Sequence, residues 1–180
     1  MRWFVWEAVS VNRANFILTN SLQQIFKEQK PRGIKVGAYF FTQAITEQEA
    51  IEEADYAVSI LNGIELDLPI AIDTEYPGTG FRHSNISAAQ RTNVVKAFCD
   101  RIRELGYEPM IYAITNWFEN DLIDSELTEY PHWVAQWNEE CTYSGNVSIW
   151  QYTSQGSVSG IDGNADLNRL YLTVMYVGEE

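Results

Sequence analysis

Residues 69–78 read Pro-Ile-Ala-Ile-Asp-Thr-Glu-Tyr-Pro-Gly, an apolar run that ends in two acids, Asp73 and Glu75, with one threonine between them. Charged groups are costly to bury unless something pairs with them or uses them. Such an ending is therefore either a strand running out into solvent or a pair of carboxyls kept for chemistry. Along a strand, positions i and i+2 share a face, and a rise of about 3.3 Å per residue sets their Cα atoms roughly 6–7 Å apart. Asp73 and Glu75 would stand side by side, with Thr74 facing away. Two neighbouring carboxyls repel when both are ionised, which raises one pKa. A neutral acid beside an ionised one is the pair that cuts a glycosidic bond: one protonates the leaving oxygen, the other steadies positive charge at the sugar carbon. The longer arm of Glu75 suits the acid role, and Asp73 that of stabiliser. Asp-x-Glu is a common tripeptide, so its weight depends on what positions it.

The elements around it alternate between strand and helix patterns, the grammar of an α/β fold with a parallel sheet. Residues 3–9, Trp-Phe-Val-Trp-Glu-Ala-Val, form a candidate first strand, and 18–30 a helix with Leu22, Ile25 and Phe26 at helical spacing. Residues 34–41 are β-branched and aromatic, as in a buried strand. Thr46 and Glu49 predict a capping box for a helix whose face is Ile51, Ala54, Val58 and Leu61, with Gly63 at its exit. Residues 68–75 form the strand that carries the acids. Ser87 and Gln90 predict a second box, followed by the apolar face Val94, Val95, Phe98, Ile102 and Leu105 and a stop at Gly106. Residues 109–114 are a strand and 116–123 a short helix. Residues 132–137, 148–153 and 165–172 are three further strands with little helix between them. Six strands, with a seventh at the start, favour an eight-stranded β/α barrel over an open doubly wound sheet. Function in such folds gathers at the carboxyl ends of strands, where Asp73 and Glu75 stand.

Composition narrows the partners. The net charge of -13 disfavours nucleic acid, whose binding depends on Lys and Arg neutralising phosphates, and also anionic membranes. No segment is long and apolar enough to insert in a bilayer, and the first residues lack the h-region and cleavage site of a signal peptide. Cys99 and Cys141 form no local pattern, and His83 and His132 are isolated, so neither a metal nor another cofactor is expected. The 6 Trp and 10 Tyr serve packing and also suit sugar-lined clefts.

Five stretches together resemble a known family: Gly-Ile-Lys-Val-Gly-Ala-Tyr-Phe-Phe (33–41), Pro-Ile-Ala-Ile-Asp-Thr-Glu-Tyr-Pro (69–77), Gly-Tyr-Glu-Pro-Met-Ile-Tyr-Ala (106–113), His-Trp-Val-Ala-Gln-Trp (132–137), and the run from Ser148 through Gln-Tyr-Thr, Gly-Ser-Val-Ser-Gly-Ile and Asp-Gly-Asn-Ala-Asp to Asn168. Their order and spacing are similar to those of glycoside hydrolase family 25, the Chalaropsis-type muramidases. The likeness spans 33–172 within a single barrel domain of 1–180, with a divergent start at 1–32. It implies a modified (β/α)8-type, TIM-like barrel that cleaves the β-1,4 bond between N-acetylmuramic acid and N-acetylglucosamine in peptidoglycan glycan strands, outside the cell or at its wall. It implies that Asp73 and Glu75 are catalytic, with Glu75 the proton donor. It places Asp166 in the same cleft and sets Tyr39, Tyr112, Gln136, Trp137 and Gln151 along the substrate groove. For Asp166 the bland alternative is a turn-forming acid, and for each aromatic residue it is barrel packing.

The chain departs from the family at its start. Members open with a strand bearing Asp-Val-Ser that supplies a further active-site Asp, and no such stretch occurs here; Glu7 is the one acid in residues 3–9. The expected consequences are a barrel incomplete at its N-terminal side, with an edge open to homodimer pairing, and a site short of one carboxylate. Three functions compete: muramidase, catalytically impaired wall-glycan binding, and a chitinase-like N-acetylhexosaminidase. Family 18 chitinases are also barrels with Asp-x-Glu on a strand, and they use the substrate's own 2-acetamido oxygen as nucleophile. Two acids on one strand suit that route, because both approach the sugar from one side.

Overall fold

A computed structural model describes residues 4–9, 35–76, 78, 81–160 and 162–171. The helix expected over 18–30 lies outside the described residues. Strands β1 (Phe4–Val9), β2 (Lys35–Phe41), β3 (Ile70–Asp73), β4 (Pro109–Ile114), β5 (His132–Ala135), β6 (Val147–Gly156) and β7 (Ala165–Leu170) join one sheet in strictly sequential order. The first six are parallel, and β7 returns antiparallel to β6. A doubly wound sheet reverses its strand order at a switch point. This order has no reversal, so that competitor is excluded. Among the described residues β1 and β7 are the two edges.

Side-chain alternation divides the core into two faces. Val36, Ala38, Phe40, Ile70, Ile72, Ile111, Ala113 and Val134 lie in one large cluster with helices α1 (Glu47–Leu61) and α2 (Ala88–Glu104). The intervening residues Ala71, Met110, Trp133 and Ile149 form a smaller cluster with Tyr39, Tyr112 and Leu170. Helices thus cover one face, as right-handed crossovers between sequential parallel strands require. The other face carries aromatic and polar groups, and this is the face of Asp73.

The helix starts follow the sequence with two changes. Thr46 Oγ1 accepts from the Glu49 amide at 3.2 Å, but Glu49 Oε2 reaches the amide of Ile45, at 2.8 Å, one residue before the cap. Ser87 accepts from the Gln90 amide at 3.2 Å, whereas the Gln90 side chain leaves for the Ile45 carbonyl at 2.6 Å. The second box is therefore half made, and its other half ties α2 to the loop before α1. The buried stripe of α1 is Ala50, Ala54, Ala57, Ile60 and Leu61, not the bulkier set around Ile51 and Val58. Small side chains let α1 approach α2 and the sheet closely. Its exit begins at Asn62 (φ 48°), which adopts the left-handed conformation before Gly63 does (φ 79°). Helix α3 (Thr115–Asn120) is shorter than expected, and β5 stops before Gln136 and Trp137. Cys99 is buried and free, and Cys141 is also free.

Phe98 is fully buried and packs on Phe40, ring centroids 6.0 Å apart. Phe98→Ala should lose about 3–5 kcal/mol of stability, measurable by urea unfolding. A loss below 1 kcal/mol would mean that α2 is not docked on the sheet as described.

Candidate active site

Asp73 is the last residue of β3, in register with Phe41 of β2 and Tyr112 of β4. The ladder holds its backbone: its carbonyl accepts from the Thr42 amide at 3.0 Å, and the next amide, Thr74, donates to the Tyr112 carbonyl at 3.1 Å. The residue is 6% exposed, and Oδ1 is buried with no hydrogen-bond partner. Burial first, and then the charge of Glu75, push its pKa up to about 8. Water is withheld from the carboxyl and no donor replaces it, so the neutral acid is favoured.

Glu75 lies beyond the strand rather than on it, which alters the simple i, i+2 picture. It is half-buried and still shares its surroundings with Asp73. Its pKa is raised by burial and then by the charge of Asp166, which lies just inside the start of β7. Asp166 is raised by its own partial burial. Tyr112 joins the group, since burial and the charges of Glu75, Asp73 and Asp166 in turn push its phenol upward. Three carboxyls and one phenol, drawn from β3, its following loop, β4 and β7, thus feel one another's charge. Both Asp73 and Glu75 are pushed upward, each by burial first. Asp73 sits inside the sheet edge, whereas Glu75 has more access to water.

The remaining residues expected at the site divide into two groups. Gln151, buried on β6, accepts from the Tyr112 hydroxyl at 3.3 Å and from the Trp137 indole N–H at 3.1 Å through one Oε1. This fixes Trp137, whose ring is 61% exposed, beside the carboxyl group. Tyr39 and Tyr112 both meet the Trp133 ring edge-on, at 6.3 and 4.7 Å. Trp133 in turn donates to Asn168 of β7 at 2.7 Å. Gln136 is engaged elsewhere. Its amide donates to Thr142 Oγ1 at 2.9 Å and accepts from the Thr142 backbone at 2.7 Å, closing the loop after β5. In β1, Glu7 pairs in register with Ala38.

Sequence reasoning missed the far side of the acid pair. Thr74 does face away, and its hydroxyl accepts from the Trp117 indole N–H at 3.2 Å. His83 Nε2 donates to the Glu75 carbonyl at 3.1 Å. Arg91 is buried with its guanidinium 4.4 Å from the Trp117 ring. One signal was available for Arg91: it precedes Val94, Val95 and Phe98 at helical spacing, so it lies on the apolar stripe. Among the described residues no group of three or more His, Cys, Asp or Glu is placed to hold a metal, and no helix is long and apolar enough to cross a membrane.

A family model described as "Glycosyl hydrolases family 25" matches residues 15–161. The "Autolytic lysozyme" of Clostridium acetobutylicum is 28% identical over 154 residues, covering 83% of this chain and 43% of that protein. "Lysozyme M1" of Streptomyces globisporus is 27% identical over 147 residues, covering 76% and 50%. The chain therefore spans about half the length, or less, of these curated relatives. The crystal structure of the bacterial lysozyme from Streptomyces coelicolor superposes with a TM-score of 0.76 at 22% identity, covering 94% of this chain and 81% of that one.

A carboxyl that keeps its proton to about pH 8 when folded, but only to about pH 4 when unfolded, costs stability as pH rises between those values, because the native state binds the extra proton. Asp73→Asn cannot ionise. It should match the wild type near pH 4 and exceed its stability near pH 8 by on the order of 1–3 kcal/mol. Urea unfolding at the two pH values measures this, and a variant less stable at pH 8 would mean that partners hold the native carboxylate.

Proposed function

The chain belongs to glycosyl hydrolases family 25, and from that premise we propose that it is a peptidoglycan muramidase, hydrolysing the β-1,4 bond between N-acetylmuramic acid and N-acetylglucosamine. The observation that carries this is the buried, unbonded Oδ1 of Asp73 beside Glu75, Asp166 and Tyr112 at the carboxyl end of a parallel sheet. A sugar bearing a 2-acetamido group has an N–H donor of the kind this oxygen lacks. Donation to Oδ1 favours the carboxylate, so substrate binding itself would draw the proton from Asp73 and leave Glu75 as the group that keeps one.

In this mechanism Glu75 protonates the leaving glycosidic oxygen as the bond to the sugar carbon breaks. The acetamido oxygen, oriented by Asp73, attacks that carbon, and the Asp73 carboxylate steadies the positive charge that develops. Water then opens the cyclic intermediate and returns a proton to Glu75. Asp166 helps to keep Glu75 protonated, since its charge opposes ionisation there. Trp137, held by Gln151, offers an exposed aromatic face for a sugar ring, and Tyr39 and Tyr112 line the floor with Trp133. Gln136 contributes by closing the loop that carries Trp137. We read the sheet as part of a modified β/α barrel, supported by the sequential strand order and the helices on one face. Its open edges make strand pairing the expected route to any homodimer. The place of action is the cell wall.

A second reading, glycan binding without turnover, is favoured by one observation: β1 offers Glu7 as its only acid. Loss of turbidity in a suspension of purified cell walls separates the two. New reducing ends that are muramic acid support the muramidase, whereas glucosamine ends would indicate a chitinase-like specificity. Glu75→Gln should lower lysis at least 100-fold while pull-down on walls stays within about two-fold of wild type. Retained lysis would remove Glu75 from the proton-donor role.

A further inference from the structure

Every contact behind the acid pair leads to one buried cation. Arg91, on the first turn of α2, donates through one terminal nitrogen to the His83 carbonyl at 3.0 Å and through the other to the Ile86 carbonyl at 3.4 Å. Its plane lies over Trp117, 4.4 Å from the ring centroid, a favourable site for a guanidinium. Trp117 then donates to the Thr74 side chain, and His83 to the Glu75 carbonyl. Two branches from one residue thus end on either side of the Glu75 side chain, one at the Thr74 hydroxyl and the other at the Glu75 carbonyl. The His83 ring is itself wedged edge-on between Phe41 and Phe81, at 5.7 and 6.2 Å. Because a carbonyl only accepts, Nε2 carries the proton, and the buried Nδ1 has no partner.

This arrangement is costly if its purpose is stability alone. Arg91 keeps Nε buried and unbonded, and burial lowers its pKa against the opposing charge of Asp121, at the end of α3. A buried cation of this kind is often replaced by apolar residues without loss of stability. Glu75, by contrast, has left the β-ladder and needs another means of being held in place. We propose that Arg91 is the positioning residue of the proton donor: through Trp117 it holds the Thr74 side chain and through His83 the Glu75 carbonyl, and it thereby sets where the Glu75 carboxyl stands relative to Asp73. The inference rests on the muramidase reading for its catalytic consequence, but its geometric content is independent of that reading.

The test uses Arg91→Met, Arg91→Lys and Trp117→Phe. Trp117→Phe keeps an aromatic ring under the guanidinium and removes the indole N–H along with part of the ring system. Two quantities are read on the folded proteins: kcat and KM on a soluble peptidoglycan oligomer, and the titration midpoint of the Glu75 carboxyl by carbon NMR. Each variant should lower kcat about 10- to 100-fold with KM within about two-fold. The Glu75 midpoint should fall toward that of a solvated carboxyl, and Arg91→Lys should recover less than half of the lost rate, since an ammonium cannot both stack and bridge two carbonyls. Unchanged kcat and an unchanged Glu75 midpoint in Trp117→Phe would overturn the proposal, even if Arg91→Met proved unable to fold. A wild type inactive on every wall substrate would instead strike the muramidase reading, and the NMR titration would still decide whether the clamp positions Glu75.

Discussion

A carboxyl oxygen buried without a hydrogen bond is the constraint around which the active end of this protein is organised. Leaving a buried polar group unbonded costs about 1–3 kcal/mol, and more when it is charged. Asp73 meets that condition at Oδ1, and the free protein limits the cost by holding the carboxyl neutral. A neutral acid of this sort persists only if the surrounding fold cannot relax to supply water or a donor. Here the β-ladder pins the Asp73 and Thr74 backbone, and Phe41 and Tyr112 flank it in register. The large cluster beneath the helices holds the sheet in place.

The two faces of the sheet divide the labour. The helix-covered face is almost wholly aliphatic and aromatic, with alanine along α1 where helices approach closely. The opposite face sets Tyr39, Tyr112 and Trp133 among Ala71, Met110 and Ile149, with the Tyr112 hydroxyl bonded to Gln151 and the Trp133 indole to Asn168. One face supplies stability, and the other carries the acid group with its aromatic neighbours. Strand β7 matters here because it runs backwards. A further parallel strand would bring the end of its chain to the acids, whereas the antiparallel return places Asp166, near its start, among them.

The secondary structure was legible wherever pattern and local chemistry agreed. The alternating residues of β2 to β4, the Thr46 and Ser87 caps and the Val94–Val95–Phe98–Ile102 stripe all occur as read. The readings that needed correction share a cause. Gln90 uses its side chain on the Ile45 carbonyl, a tertiary partner invisible to a local capping rule, while Glu49 reaches the Ile45 amide, one residue before the cap. The α1 stripe keeps Ala54 and Leu61 as read but adds Ala50 and Ala57, because alanine carries little hydropathy yet is what close packing demands.

By itself the sequence determined which residues are acids at a strand end, which segments are strands and helices, and which family the chain resembles, because these follow from side-chain type, period and spacing. Only the tertiary structure decided that Asp73 is buried with an unbonded oxygen, that Asp166 and Tyr112 lie in the field of the acid pair, and that Arg91 lies behind it. Burial, charge coupling and hydrogen-bond completion depend on groups separated by tens of residues along the chain, and no local pattern encodes which of those groups will lie within a few ångströms of one another.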